Sequence, residues 1–239
     1  MIPLGENPMP PMGKSLTAES LARVIDHTVL APDHTIADVE RACEEAIGYG
    51  FAAVTVAAYD IARVATLLDG TDVAAGGTVG IALGHSGLKA KRSEAEACVR
   101  AGAAEIDMVM NLTAMKSGKY ADVRDEIAAV RKVADGLVLK VILECCYLTD
   151  DEKIEACQLA LDAGADFVKT STGFGRGGAT ARDVALMKKA VGDEAQVKAA
   201  GGIRTVEQVI EMLAAGATRI GTSAGVAIVQ QFRDRHKGN

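Results

Sequence analysis

Short apolar runs rich in Val and Ile alternate with longer helical stretches along almost the whole chain. The runs predict strands near residues 24–29, 51–56, 78–82, 105–110, 137–143, 166–170, 195–199 and 218–221. They are continuous rather than alternating, as expected of parallel strands covered on both faces. Three of the helical stretches close on the same signal: Ala101-Gly102-Ala103, Ala163-Gly164-Ala165 and Ala215-Gly216-Ala217. A glycine there suits a helix end, because it enters the left-handed conformation without steric cost. Eight strand-plus-helix units of about 25 to 30 residues predict an α/β fold, a TIM (β/α)8 barrel. A doubly wound open sheet is the alternative, but the glycine fingerprint expected after its first strand is missing, and Gly76-Gly77 reads as preceding a strand.

Composition narrows the class without changing the fold. With 239 residues and 49% apolar content, the chain can bury a large core. Four of its five prolines, Pro3, Pro8, Pro10 and Pro11, fall near the start, so residues 1–16 read as a loosely packed tail and 17–239 as one barrel domain. The formal charge is -6 with no basic block, which argues against a nucleic-acid surface, and no run of 18 apolar residues suggests a membrane span. The five cysteines, Cys43, Cys98, Cys145, Cys146 and Cys157, show no metal-type or CxxC spacing and fit a reducing, cytoplasmic setting. The four histidines are scattered without ligand spacing, so no metal is indicated.

Chemistry concentrates where a barrel's strands end. Lys140, Lys169 and Lys198 stand 29 residues apart on the fifth, sixth and seventh predicted strands, one per repeat. A lone strand-end lysine is usually solvated or ion-paired, but three at equal spacing imply convergence. A lysine that loses its proton in an apolar pocket attacks carbonyls to form a Schiff base, and neighbouring cations help it lose that proton. This requires a drop from a reference pKa of about 10.4 to roughly 7 or 8. Asp107, on the fourth strand, is the acid placed to join the lysines, leaving an expected local excess of two positive charges. Lys140 lies mid-strand and is placed to hold Asp107, while Lys169 and Lys198 sit nearer the mouth. The first strand ends on Asp26 and Thr28, which are candidate substrate contacts together with Lys140 and Thr172.

Two glycine-rich loops point to an anion. Ala200-Gly201-Gly202-Ile203-Arg204 follows the seventh strand and Gly221-Thr222-Ser223-Ala224-Gly225 the eighth. Barrels commonly hold phosphate there, because loop amides and a helix N-terminus direct donors at it. Gly201, Gly202, Arg204, Gly221 and Ser223 are therefore phosphate candidates. A third loop, Thr170-Ser171-Thr172-Gly173-Phe174-Gly175, adds hydroxyls and a further candidate, Gly173.

Seven motifs in order resemble those of deoxyribose-phosphate aldolase, a class I aldolase family: IDHT at 25–28, EIDMV at 105–109, KSGKY at 116–120, LKVILE at 139–144, FVKTSTGFG at 167–175, KAAGGIRT at 198–205 and RIGTS at 219–223. The likeness spans residues 25 to 226. It implies reversible cleavage of 2-deoxy-D-ribose 5-phosphate to D-glyceraldehyde 3-phosphate and acetaldehyde, with no metal or organic cofactor. Carried over by position, Lys169 forms the Schiff base, Lys198 lowers its pKa, and Asp107 moves protons with a water. The partners implied are small sugar phosphates and aldehydes, together with further copies of the chain in a dimer or tetramer.

Several positions depart from the family pattern. Thr55-Val56-Ala57-Ala58 replaces a usual Cys-Val-Asn-Pro, Gly80-Ile81-Ala82-Leu83-Gly84 a usual Gly-Phe-Pro-Leu-Gly, and Ala31 a usual lysine. Ala224 stands where a second serine is common. These changes are expected in the pocket wall and the phosphate loop rather than in the catalytic set. Other readings are an aldolase of a different sugar phosphate, a lysine-independent isomerase, and a non-catalytic phosphate-binding barrel.

Overall fold

A computed structural model describes residues 16–236. The predicted tail lies outside the described residues except for Leu16. A short helix, α1 (Ala18–Ala22), leads into β1 (Ile25–Val29), α2 (Ile36–Tyr49), β2 (Ala53–Val56), α3 (Ile61–Leu67), β3 (Ala74–Val79), α4 (Gly87–Arg100) and β4 (Glu105–Val109). Two helices, α5 (Leu112–Lys116) and α6 (Tyr120–Val133), precede β5 (Val138–Ile142), followed by α7 (Asp150–Asp162), β6 (Phe167–Lys169), α8 (Ala181–Val191), β7 (Gln196–Ala200), α9 (Val206–Ala214), β8 (Arg219–Thr222) and α10 (Gly225–His236). All eight strands are parallel, and β8 pairs back onto β1, so the sheet closes as the predicted TIM barrel.

Alternation along the strands sorts the side chains into two layers. Val54, Ile106, Met108, Leu139, Val141, Val168, Val197 and Ile220 are wholly buried, as are the helical residues Val39, Val64, Ile127, Val184 and Val209 in the same apolar core. Each such side chain contributes about 1.5–3 kcal/mol by leaving water. The barrel interior is different. Asp26, Glu105, Asp107, Lys140, Lys169, Lys198 and Arg219 fill positions that a purely structural barrel gives to branched aliphatics.

The Ala-Gly-Ala signals work as the sequence suggests. Gly102, Gly164 and Gly216 all have positive φ, at 96°, 84° and 109°, one residue beyond helix caps at Ala101, Ala163 and Ala215. At the other helix ends, Thr35, Thr149 and Thr205 form capping boxes with Asp38, Glu152 and Gln208. The third strand corrects the sequence reading, running over 74–79 rather than 78–82. Gly76 and Gly77 lie within it, because a Cβ on Gly77 would stand 2.9 Å from Cys98 Sγ and one on Gly76 3.2 Å from Thr55 Oγ1. They mark close packing, not the turn before a strand.

Buried polar ties lock the outer ring to the barrel. Lys91 on α4 bonds Glu126 on α6 at 2.6 Å and the carbonyl of Val109 at 2.7 Å, so two helices grip the end of β4. Cys43, Cys98, Cys145 and Cys157 are buried free thiols and Cys146 is half-buried. Among the described residues no helix is long and apolar enough to cross a membrane.

Candidate active site

Strand register explains why distant charges meet. Asp107 pairs with Lys140 across β4 and β5, Lys169 with Lys198 across β6 and β7, and Lys198 with Arg219 across β7 and β8. Lys140 is level with Phe167, two residues before Lys169, so it lies one layer deeper in the barrel. Asp107 is the hub. Its Oδ2 accepts from Lys169 Nζ at 2.7 Å and from Lys198 Nζ at 2.8 Å, and its Oδ1 accepts from Lys140 Nζ at 2.9 Å. Lys198 also donates to Asp26, and Lys140 to Glu105. Arg219 closes the ring with bonds to Asp26 at 2.6 Å and Glu105 at 3.3 Å.

The charge count corrects the expected excess. Four cations, Lys140, Lys169, Lys198 and Arg219, meet three anions, Asp26, Glu105 and Asp107, leaving one positive charge when all are ionised. The network is neutral when Lys169 is a free amine. Burial, reinforced by the charge of Lys198, lowers Lys169 to about 8 even though Asp107 pulls it upward. Burial alone would raise Asp107, but Lys140, Lys169 and Lys198 together hold it well below the usual carboxylate range. Lys140 is pushed the other way from Lys169: its burial penalty is outweighed by Asp107, Glu105 and Asp26, which keep it protonated. Two lysines of one network thus shift in opposite directions, and only Lys169 has a neutral fraction available near neutrality.

Lys169 opens onto a cavity of about 650 Å3 at the carboxyl ends of the strands. Thr28, Thr172, Gly173, Gly201, Gly202, Arg204, Gly221 and Ser223 line it as well. Asp26, Asp107, Lys140 and Lys198 do not line it and stand fully buried in the network below. A second hollow, of about 900 Å3, lies at the opposite barrel mouth and reaches Glu105 and Arg219 but none of the three lysines. Of these two hollows, only the first is lined by both Lys169 and the glycine-rich loops.

Likeness to known proteins identifies the family. A model of the DeoC/LacD family of aldolases matches residues 21–231. The chain belongs to that aldolase family. A deoxyribose-phosphate aldolase of Thermococcus kodakarensis is 51% identical over 223 residues, covering 92% of this chain and 100% of the other. The crystal structure of a putative deoxyribose-phosphate aldolase from Coccidioides immitis superposes with a TM-score of 0.89 at 43% identity, covering 92% of this chain and 88% of that one. The deoxyribose phosphate aldolase of Aeropyrum pernix, described as a tetramer, gives 0.85 at 32% identity over 92% and 93% of the two chains.

Within this aldolase barrel the individual site residues have distinct settings. Thr28 donates its hydroxyl to the Asp26 carbonyl at 3.0 Å. The hydroxyl of Thr172 accepts from Phe174 N at 3.0 Å and bonds Glu144, so its proton is already committed. Gly221 makes room for Lys198, since a Cβ there would stand 3.1 Å from Lys198 Cε. The backbone amides of Arg204 and Ala224 are taken by Gln208 at 2.8 Å and Thr222 at 3.0 Å. Of the family departures, Ala31 lines the cavity, whereas Thr55, Ala57, Ala82 and Ala224 do not.

Three functional neighbours carry no assignment in the sequence reading. Glu105 stands two residues before Asp107 and Arg219 two before Gly221, so strand alternation could have placed both inside the barrel. Glu144 had no such signal, because it follows β5 in a left-handed conformation at φ 55°, ψ 62°.

Proposed function

We propose that this aldolase reversibly cleaves 2-deoxy-D-ribose 5-phosphate to D-glyceraldehyde 3-phosphate and acetaldehyde through a Schiff base on Lys169. The observation that carries the reading is a single buried amine at the cavity floor, poised near pKa 8 and 2.7 Å from a carboxylate. In the cleavage direction, the neutral amine adds to the C1 carbonyl of the open-chain sugar, and the adduct takes up a proton through water and loses water to give a protonated imine, the proton being released again when the imine is hydrolysed. That cation draws the electrons of the C2–C3 bond as it breaks, while the C3 hydroxyl gives up its proton and becomes the aldehyde of glyceraldehyde 3-phosphate. Asp107, acting with a water, takes that proton and returns one to C2 of the enamine. Hydrolysis of the imine then frees acetaldehyde and Lys169.

The other residues set the stage. Lys198 lowers the pKa of Lys169 and helps keep Asp107 ionised, while Lys140 holds Asp107 and Asp26 holds Lys198. The phosphate is assigned to the loops at Gly173, Gly201, Gly202, Arg204 and Gly221 to Ser223, which line the cavity and would anchor the far end of the sugar. The name borne by the Thermococcus kodakarensis relative supports the substrate, and the tetramer described for the Aeropyrum pernix relative supports a homo-oligomer of two or four copies. Five free cysteines support a reducing cytoplasmic setting. Borohydride reduction in the presence of acetaldehyde should fix an adduct on the peptide carrying Lys169. An adduct elsewhere, or faster turnover of a longer sugar phosphate, would overturn respectively the mechanism or the substrate.

A further inference from the structure

Glu144 is a buried carboxylate that the reaction scheme above leaves without a task. It follows β5, is fully buried, and is the one non-glycine residue with positive φ among the described residues. Such backbone is sparsely populated by residues with a Cβ, so it persists only where the surroundings impose it. Here the imposed conformation turns the carboxylate towards the loop that follows Lys169. Glu144 Oε2 accepts from Thr172 N at 3.1 Å and from the Thr172 hydroxyl. That hydroxyl accepts in turn from Phe174 N, so its own proton is directed at the carboxylate.

The seat is built closely around this group. A Cβ on Gly175 would stand 3.0 Å from both Glu144 Cδ and Oε1 and 3.1 Å from Cys146 Sγ, tighter than an ordinary van der Waals contact. Arg176 donates twice to the Cys146 carbonyl, at 3.0 and 2.8 Å, and so pins the same loop to the chain just past Glu144. The charged and titratable groups facing Glu144 are Lys169 on β6 and the thiols of Cys145 and Cys146. Both hydrogen bonds that it accepts from Thr172 fall on Oε2, so this oxygen is held as an acceptor against the loop.

We propose, on the reading of Lys169 as the Schiff-base residue, that Glu144 is a positioning residue of the reaction. Its carboxylate orders the Thr172 to Phe174 wall of the cavity and supplies a second negative charge, beside Asp107, that favours the cationic imine. Burial raises its pKa while the two Thr172 donors and Lys169 oppose that rise, which keeps the carboxylate linked electrostatically to the nucleophile. Lys169 itself is faced by Asp107, Lys198 and Lys140, so Glu144 modulates a field that those groups dominate.

The substitution Glu144→Gln keeps an acceptor for Thr172 and removes the charge. Loss of a nearby anion lowers the pKa of Lys169, so the limb on which acetaldehyde-dependent borohydride trapping rises with pH should move down by about 0.5 to 1 unit. At the same time kcat for cleavage should fall about tenfold, because the imine cation loses stabilisation. Glu144→Met, which removes the charge at similar side-chain volume, should shift the limb in the same direction and decides the matter should Glu144→Gln not fold. A limb superimposable on that of the wild type in whichever of these variants is soluble would overturn the proposal. Absence of any trapped Lys169 in the wild-type protein would instead overturn the Schiff-base reading on which it rests.

Discussion

Replacing Lys198 with methionine tests the electrostatic core of the site. Lys169 and Lys198 both bond Asp107 Oδ2, at 2.7 and 2.8 Å, so their amines stand no more than about 5.5 Å apart. At an effective dielectric constant of about 20, two unit charges at that distance repel by about 3 kcal/mol, or about 2 pKa units. Methionine keeps most of the buried stem volume and removes the charge, so Lys169 should climb from about 8 towards about 10. Because only the neutral amine attacks a carbonyl, its fraction at pH 7 drops about 100-fold, and kcat/KM should drop with it. The assay is the pH dependence of acetaldehyde-dependent borohydride trapping and of cleavage, taken from neutral to strongly alkaline buffer. The rising limb should shift by about 2 units, with trapping recovering at alkaline pH. An unmoved limb would refute the assignment of Lys198 as the tuner. Loss of trapping without alkaline recovery would refute it as well, pointing to a direct chemical role for the amine.

Further expectations concern stability and the anion site. Glu126→Ala leaves Lys91 buried without its carboxylate and should cost about 3–5 kcal/mol, read from denaturant midpoints, while Lys169 remains trappable at the temperature where the variant stays folded. Ser223→Glu places a negative charge at the mouth of the proposed phosphate cradle. It should raise KM for the phosphorylated sugar about tenfold or more, yet leave acetaldehyde trapping within about twofold; equal loss in both would remove the phosphate from that loop. Asp26 and Asp107 are held below the ordinary carboxylate range: burial raises both, but the surrounding Arg219 and lysines prevail. Carboxylates of lowered pKa contribute stability that is fully present above the unfolded value of about 3.9 and is lost as pH falls below it. Unfolding free energy should therefore fall as the buffer is taken below about pH 4, and less steeply in Asp26→Asn.

Much of this protein is legible in its residues because the information is local. The Val- and Ile-rich runs and the Ala-Gly-Ala helix ends each act within a few positions, and the eightfold repetition of the runs leaves the barrel as the arrangement that covers every strand. The spacing of the lysines likewise follows the repeat, so convergence of Lys140, Lys169 and Lys198 could be expected from the chain alone. Where packing overrode local preference, the reading slipped: Gly76 and Gly77 look like a turn but serve as thin strand positions beneath Cys98 and Thr55.

What the tertiary structure alone decided is which charges touch. Closure of β8 onto β1 and the stagger between strands bring Asp26 and Arg219, nearly two hundred residues apart, into contact at 2.6 Å. Asp26, Glu105 and Arg219 thereby join Asp107 and the three lysines, and the net charge is zero when Lys169 is neutral. Residue identity states which groups can ionise. Burial and distances of under 3 Å to partners on other strands state which of them do, because in a water-poor interior each pKa answers to its neighbours more than to its own chemistry.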